Sequence, residues 1–179
     1  MSYENATIEA MLPDNTIEII DLDGMDTLSD LMDHIRELID SKDDEPLEDD
    51  EILELIPLSS PTGFAVHLFV QNAFTGVWVT AENFDDILST WSNETDDDRR
   101  QAMGEYLEDM GADSLDDFDE AYQGEFSDGA AFAEHTAEEL GEIPKDLPSW
   151  IVIDWEQSWK GGLRFDYHIT DSGHVFRNL

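Results

Sequence analysis

The side chains that could do chemistry are few in kind and unevenly placed. Five histidines, His34, His67, His135, His168 and His174, are the groups able to exchange a proton near neutral pH. None stands in an HxxxH or HExxH spacing, which would set two ring nitrogens on one helix face. His168 and His174 flank Asp171-Ser172-Gly173, and a hairpin turning there would bring them face to face. An ordinary cross-strand pair is the reading adopted, and no metal is assigned. Asp21-Leu22-Asp23-Gly24 is similar to the start of a calcium loop, but an EF-hand wants Gly at its sixth position and Glu at its twelfth. Here the Gly falls fourth and the twelfth residue is Met32. No G-x-S-x-G, P-loop or GxGxxG occurs, and with no cysteine there is no thiolate nucleophile or ligand.

Carboxylates are the abundant group: 45 Asp and Glu stand against 8 Lys and Arg, for a net charge of −37. General acid–base work needs two carboxylates in different environments, and uniform abundance offers no such contrast. No catalytic residue and no cofactor is expected, and the protein reads as a non-enzyme. Asp43-Asp44-Glu45 and Glu48-Asp49-Asp50-Glu51 read as solvated loops. The sign of the charge argues against direct binding to nucleic acid, which needs clustered Lys and Arg, and against anionic membrane surfaces. No apolar run nears the ~20 residues of a membrane-spanning helix. Met1-Ser2-Tyr3-Glu4 has neither the basic nor the apolar stretch of a signal peptide. A cytoplasmic protein is expected, in keeping with the absence of cysteine. High net charge is also the mark of disorder, but a chain that is 40% hydrophobic with 9 Phe, 5 Trp and 4 Tyr should fold.

The elements that must carry these carboxylates are legible from spacing. Thr27 precedes a helical stripe of Leu28, Leu31, Met32, Ile35, Leu38 and Ile39, with Asp30 closing a capping box. A second helix is expected from Asn83, with Asp86 three later and Phe84, Ile87, Leu88 and Trp91 inward. A third opens at Thr95, with Asp98 three later; Met103, Tyr106, Leu107 and Met110 face inward and Gly111 stops it. A fourth starts at Ser114, burying Leu115, Phe118 and Tyr122, and a fifth runs from Ser127 to Leu140 and stops at Gly141. Strands are expected at 16–20, around 52–58, at 64–70, 76–80 and 150–153, and at 163–169 and 174–177 about the Asp171-Ser172-Gly173 turn, with a helical turn over 154–160. The fold class is α+β: an elongated chain of three small α/β units in series with an acidic surface, over residues 1–60, 61–112 and 113–179.

The charge is not a tail. Residues 1–60 carry a net −17 and residues 94–150 a net −16, whereas 61–93 carry −3 and 151–179 only −1. Acids at helical spacing lie ~5–6 Å apart along a face, comparable to phosphates along B-DNA. At one charge per ~1.7 Å of duplex axis, −37 matches the phosphates of about 18 base pairs. A surface of this kind could occupy the DNA site of a nucleic-acid enzyme. Halophilic adaptation would also produce an acidic surface, and only Lys42, Lys145 and Lys160 among the eight bases are lysines, as that idea expects.

From Asn83 onward the chain resembles the ArdA antirestriction family. The carrying residues are Asn83-Phe84-Asp85-Asp86-Ile87-Leu88, Gly104-Glu105-Tyr106-Leu107, and the run Asp116 to Phe126 (DDFDEAYQGEF). They continue with Phe132-Ala133-Glu134, Ala137 to Gly141, Ile153-Asp154-Trp155-Glu156 and Gly173 to Arg177. Ile19 to Gly24 is similar to the family's N-terminal unit, while 58–80 departs from the pattern with more strand and more hydrophobicity. The resemblance implies three small domains in series, a homodimer formed through the C-terminal region, and mimicry of bent B-DNA in the groove of type I restriction–modification complexes. It implies a bacterial host, carriage by phages and mobile elements, and the methyltransferase/specificity core as partner. The mimic surface would comprise Asp96, Asp97, Asp98, Glu105, Glu108, Asp109, Asp113, Asp116, Asp117, Asp119, Glu120, Glu125, Glu134, Glu138, Glu139 and Glu142, with the antirestriction motif over Ala133–Glu142. Trp150, Trp155, Trp159, Phe165, Tyr167 and Phe176, in the least charged part of the chain, would offer apolar area to a dimer contact or to a local core. Other DNA-binding defence systems, such as CRISPR effectors, and small basic proteins of the histone or HU kind are the alternative partners.

Overall fold

In a computed structural model of the chain, residues 6–12, 16–25, 27–39, 48, 51–52, 55, 64–70, 73–80, 82–148 and 150–179 are described. These form two compact units, Met1–Asp116 and Asp117–Leu179. The class is mixed α/β: among the described residues there are six helices, one 3-10 turn and two antiparallel sheets.

The first unit is a four-stranded sheet covered by helices. Strands β1 (Ala6–Met11), β2 (Ile17–Asp21), β3 (Phe64–Val70) and β4 (Ala73–Val79) lie in the order β2-β1-β3-β4, every pair antiparallel. β1 meets β3 through Ala6↔Leu68 and Thr7↔His67, so residues assigned from sequence to a first and a middle unit share one sheet. Period-2 alternation puts Ile8, Ala10, Ile20, Val66, Leu68, Val77 and Val79 on the buried face. The helices are α1 (Leu28–Ile39), which buries Leu31, Met32 and Ile35, α2 (Phe84–Asn93) and α3 (Asp97–Asp109), with α2 and α3 lying on β3 and β4. Phe84, Ile87 and Leu88 close on Val66, Leu68, Val77 and Val79 and leave a space of only about 10 Å³ between them.

The caps show where local reading succeeds and where it slips by a residue. At α1 the capping box forms in full: Thr27 N–H donates to Asp30 Oδ2 at 2.9 Å and Asp30 N–H to Thr27 Oγ1 at 3.2 Å. Leu28 N–H is taken by Asp85 Oδ1 of α2 at 2.7 Å, a cap supplied from 57 residues away. α2 starts without a side-chain cap, because the Asn83 amide turns back to accept from Thr80 N–H and donate to the Asp113 carbonyl. α3 is capped by Asp96 rather than Thr95, its carboxylate accepting from Asp98 and Arg99 N–H, and Gly111 (φ 63°) follows its end as expected. β1 escapes sequence reading because Ala-Thr-Ile-Glu-Ala-Met has the composition of a helix; its strand character comes from its neighbours on both sides. Ile52, expected in a strand, sits in a helical turn with its N–H on the Glu48 carbonyl; residues 53–54 and 56–58 lie outside the described residues.

The second unit is a three-stranded sheet, β5 (Tyr122–Glu125), β7 (His174–Arg177) and β6 (Tyr167–Ile169), in the order β5-β7-β6. Its helices are α4 (Phe118–Ala121), α5 (Gly129–Glu139) and α6 (Trp155–Gly161), with a 3-10 turn over Leu163–Phe165. The expected fourth helix shrinks to one turn that follows Asp117 with no side-chain cap, and Tyr122 belongs to β5. The expected Ser127 cap is Asp128, which accepts from Ala131 N–H at 2.8 Å. The strand expected at 150–153 is absent: Ile151 N–H bonds the Pro148 carbonyl in a turn and Val152 is exposed, so no ladder partner holds it extended. Residues 163–165 are likewise a 3-10 turn and only 167–169 pair. Aromatic rings hold the unit: Phe118 stacks on Tyr122 at 5.2 Å, Phe176 tilts against both, and Phe132 takes Phe126, Trp159 and Tyr167 edge to face.

Two glycines in this unit differ in what surrounds them. Gly173 has φ 101°, and a Cβ there would stand 2.4 Å from the Phe126 carbonyl oxygen. Gly141 has φ 66° but open space around it. We expect Gly173→Ala to lower unfolding free energy by about 2–4 kcal/mol, from backbone strain plus a clash with main chain that cannot move aside. Gly141→Ala should cost only about 1 kcal/mol. Thermal or urea unfolding of the two variants checks the ordering.

Candidate functional site

Among the described residues no three His, Asp or Glu side chains converge as a metal site. The strand register sets His168 opposite Phe176 and places His174 against Thr170, so the two histidines do not face one another as the hairpin reading expects. The register is offset by two residues from that reading, so the two histidines share a face as diagonal neighbours and are not direct cross-strand partners. His174 is instead a buried structural residue: its ring lies 3.3 Å from Ser172 Oγ and edge-on to Tyr122.

What the elements do present is carboxylates. Of the sixteen candidates, Asp96, Asp97, Asp98, Glu108, Asp109, Asp113, Asp116, Asp117, Asp119, Glu120, Glu125, Glu134, Glu138, Glu139 and Glu142 are exposed. Glu105 is half-buried and accepts from Gln101 Nε2 at 2.9 Å. The first group, up to Asp116, belongs to α3 and its flanks in the first unit. The rest belong to α4, β5 and α5 with their loops in the second unit. In the second unit all fourteen Asp and Glu are exposed, against four Lys and Arg. The rows follow from the stripes: Met103, Tyr106 and Leu107 of α3 and Phe132 and Ala133 of α5 are buried, which turns the intervening acids outward.

The two bases in the stretch 94–142 behave differently, and sequence reading missed how. Arg99 Nε donates to Glu94 Oε2 at 3.0 Å, joining the approach to α3 to its first turn. The Arg100 guanidinium lies 4.5 Å from the centre of the Trp91 ring and its Nε donates to the Trp91 carbonyl. Trp91 Nε1 returns a hydrogen bond to the Arg100 carbonyl at 3.1 Å. Both cations are thus folded back onto α2 and its exit, half-buried, while the acids beside them point to water. The signal was present as Trp91 nine residues before Arg100, but only the α2–α3 corner brings them together.

Two carboxylates have shifted proton affinities. Backbone N–H groups of Asp96 and Thr95, and the Arg99 guanidinium, hold Glu94 below the ordinary glutamate range, against a smaller opposing effect of burial. Glu108 is pushed up, by partial desolvation first and then by the Asp109 and Glu105 charges. Folding therefore favours charged Glu94 and neutral Glu108. The Glu94 contribution is present above its unfolded value and lost as pH falls through its folded value. The Glu108 penalty appears as pH rises through the folded value.

The six apolar side chains of the near-neutral tail divide. Phe176 is fully buried among Phe118 and Tyr122, so it has no surface for a partner and is a core residue, because β7 is the central strand. Trp159 lies over Gly129 so closely that a Cβ there would come within 2.4 Å of the ring, and Tyr167 meets Phe132 at 4.8 Å; both are half-buried. Trp155 is half-buried and lines a groove beside α5. Trp150 and Phe165 remain 79% and 65% exposed.

Compared with protein-family models, with curated proteins and with solved structures, the chain matches none.

If the arginines are structural, Arg100→Gln makes the protein more negative yet less stable, by about 0.5–2 kcal/mol for the lost ring contact. Glu108→Gln should raise the melting temperature at pH 7 and leave it unchanged near pH 3, where Glu108 is already neutral. Paired thermal melts at the two pH values check both signs.

Proposed function

We propose that the protein is a non-enzymatic DNA mimic that occupies the DNA-binding groove of a type I restriction–modification complex. The observation that supports this reading is the opposite treatment of the two charge signs between residues 94 and 142. Fifteen of sixteen candidate carboxylates are exposed, while Arg99 and Arg100 are folded onto Glu94 and Trp91. A merely soluble acidic surface has no reason to withdraw its few cations, whereas a mimic gains from an uninterrupted negative field. Such a field steers a basic groove toward it over about a Debye length and weakens as salt rises. The resemblance to the ArdA family selects the type I methyltransferase/specificity core as partner and a bacterial cytoplasm as the setting. On this reading the active species is a homodimer. Trp150 and Phe165 are its best contact residues, being large, apolar and exposed in the least charged part of the chain.

The test is competition. A purified type I methyltransferase is held on labelled target DNA at ~0.1–0.2 M salt and the protein is titrated in. Displacement near stoichiometric protein, fading with salt, is expected. No displacement by folded protein would overturn type I restriction as the target and turn the search to other DNA-binding defence systems. A requirement for molar salt to fold would make halophilic adaptation the better account of the charge. Because each exposed pair contributes roughly 0–1 kcal/mol, neutralising any one carboxylate should cost no more than about fivefold. Reversing six, Asp97, Asp98, Glu108, Glu134, Glu138 and Glu142, should abolish displacement. Loss of inhibition from one such substitution would exclude a distributed-charge mechanism.

A further inference from the structure

Charge does not account for one feature of the second unit. α5 presents Ala133, Thr136, Ala137 and Leu140 on one face, at the i, i+3, i+4, i+7 spacing of a helical stripe. The inner end of that face is closed, with Ala133 buried and α6 packed against the helix, while Thr136 and Ala137 are half-buried and Leu140 is exposed. Together with Ile143 and Pro144 after the helix, and Ile153, Trp155 and Leu163 opposite, it walls an open groove of about 330 Å³. This is about twice the ~150 Å³ cavity that admits benzene, enough for one large apolar side chain. The two hydroxyls at its wall are already engaged, Thr136 donating to the Phe132 carbonyl and Ser158 to that of Asp154. Apart from the Glu142 carboxylate, the lining is apolar or already hydrogen-bonded. Leu140, at its edge, is 67% exposed.

We propose that this groove receives an apolar anchor side chain, leucine or an aromatic, carried on a basic segment of the partner protein. Charge complementarity selects the occupant. Glu142 forms part of the groove wall, Glu134 and Glu138 stand on the same helix, and the unit carries fourteen exposed acids against four bases. A segment in which Lys or Arg flank an apolar residue satisfies both the rim and the floor. Long-range attraction then brings the partner in, and the anchor supplies a contact that salt does not screen. The inference rests on reading the carboxylates as a surface for a basic protein, and it adds to that reading a point of apolar recognition.

The test uses the full-length protein with methyl-labelled Ile and Leu and two probes of equal charge, an amphipathic leucine/lysine peptide and an oligolysine. At low salt both should bind. At ~0.5 M salt, where screening removes most of the electrostatic attraction, the leucine/lysine peptide should still bind and shift the Leu140, Ile143, Ile153 and Leu163 methyl signals. The oligolysine should be lost. Leu140→Ala, at an exposed position that leaves the core intact, should weaken the retained binding roughly tenfold. Ala137→Phe, which fills the groove, should do the same. Equal loss of both peptides at high salt, or an unchanged affinity in both variants, overturns the anchor. Leu140 and Ile143 methyl shifts that follow dilution of the protein alone also overturn it and assign the groove to self-association. Failure of the mimic reading shows separately, as wild-type protein that binds the peptide but does not displace DNA from the methyltransferase.

Discussion

Mutual repulsion of carboxylates is the constraint on which the rest of this structure depends. With 45 acids and 8 bases, the chain can fold only where each acid keeps access to water. Two like charges 4 Å apart cost ~1 kcal/mol in water and several times that at a protein surface of lower effective dielectric. The described residues obey this without exception: the buried polar side chains are Thr7, Thr170 and His174, and no carboxylate is among them. Several acids take structural work at helix starts, where the partial positive charge of free N–H groups offsets their own. Asp30, Asp96, Asp128 and Asp154 each accept a backbone N–H there, and Asp85 does so for the helix before its own.

What opposes the repulsion is a set of small, ring-rich cores. Trp91 and Phe84 in the first unit, and Phe118, Phe176 and Phe132 in the second, each remove a large apolar area from water. The bases reinforce the same places. Arg100 on Trp91 and Arg99 on Glu94 tie the corner between α2 and α3, so these two cations act within the fold while most acids of the stretch 94–142 face water. That separation of roles connects stability to the proposed function: the groups that hold the acidic helix in place are those whose charge would spoil its field. The groove along α5 is the complement. It is an apolar surface that the fold leaves open.

Much of the fold was readable because helical stripes are local. Leu31, Met32 and Ile35, or Phe84, Ile87, Leu88 and Trp91, announce a buried face within three turns. Asp at a helix start announces a cap to within a residue or two, and Thr27 with Asp30 announced one in full. The misses share a cause in pairing between distant residues. β1 is a strand because β2 and β3 flank it, 150–153 is not one because nothing does, and His174 meets Thr170 because of the register across β6 and β7. The candidate acids were legible as a set, since an acid opposite a buried stripe must face water. The fate of the tail aromatics was not, because six rings in a near-neutral segment read alike whether they meet a core, a groove or a partner.

Composition and local periodicity thus determined the charge, the mixed class, most helices and the outward direction of the acids, all of which depend on neighbours within a turn or two. Tertiary structure alone decided that residues 6–21 and 64–79 share a sheet, that Phe176 is core while Trp150 and Phe165 are exposed, and that Arg99 and Arg100 are withdrawn. It alone left the α5 groove open. Each of those outcomes turns on which distant segment arrives at a given face, and a stripe of apolar residues states that something must cover it without stating what.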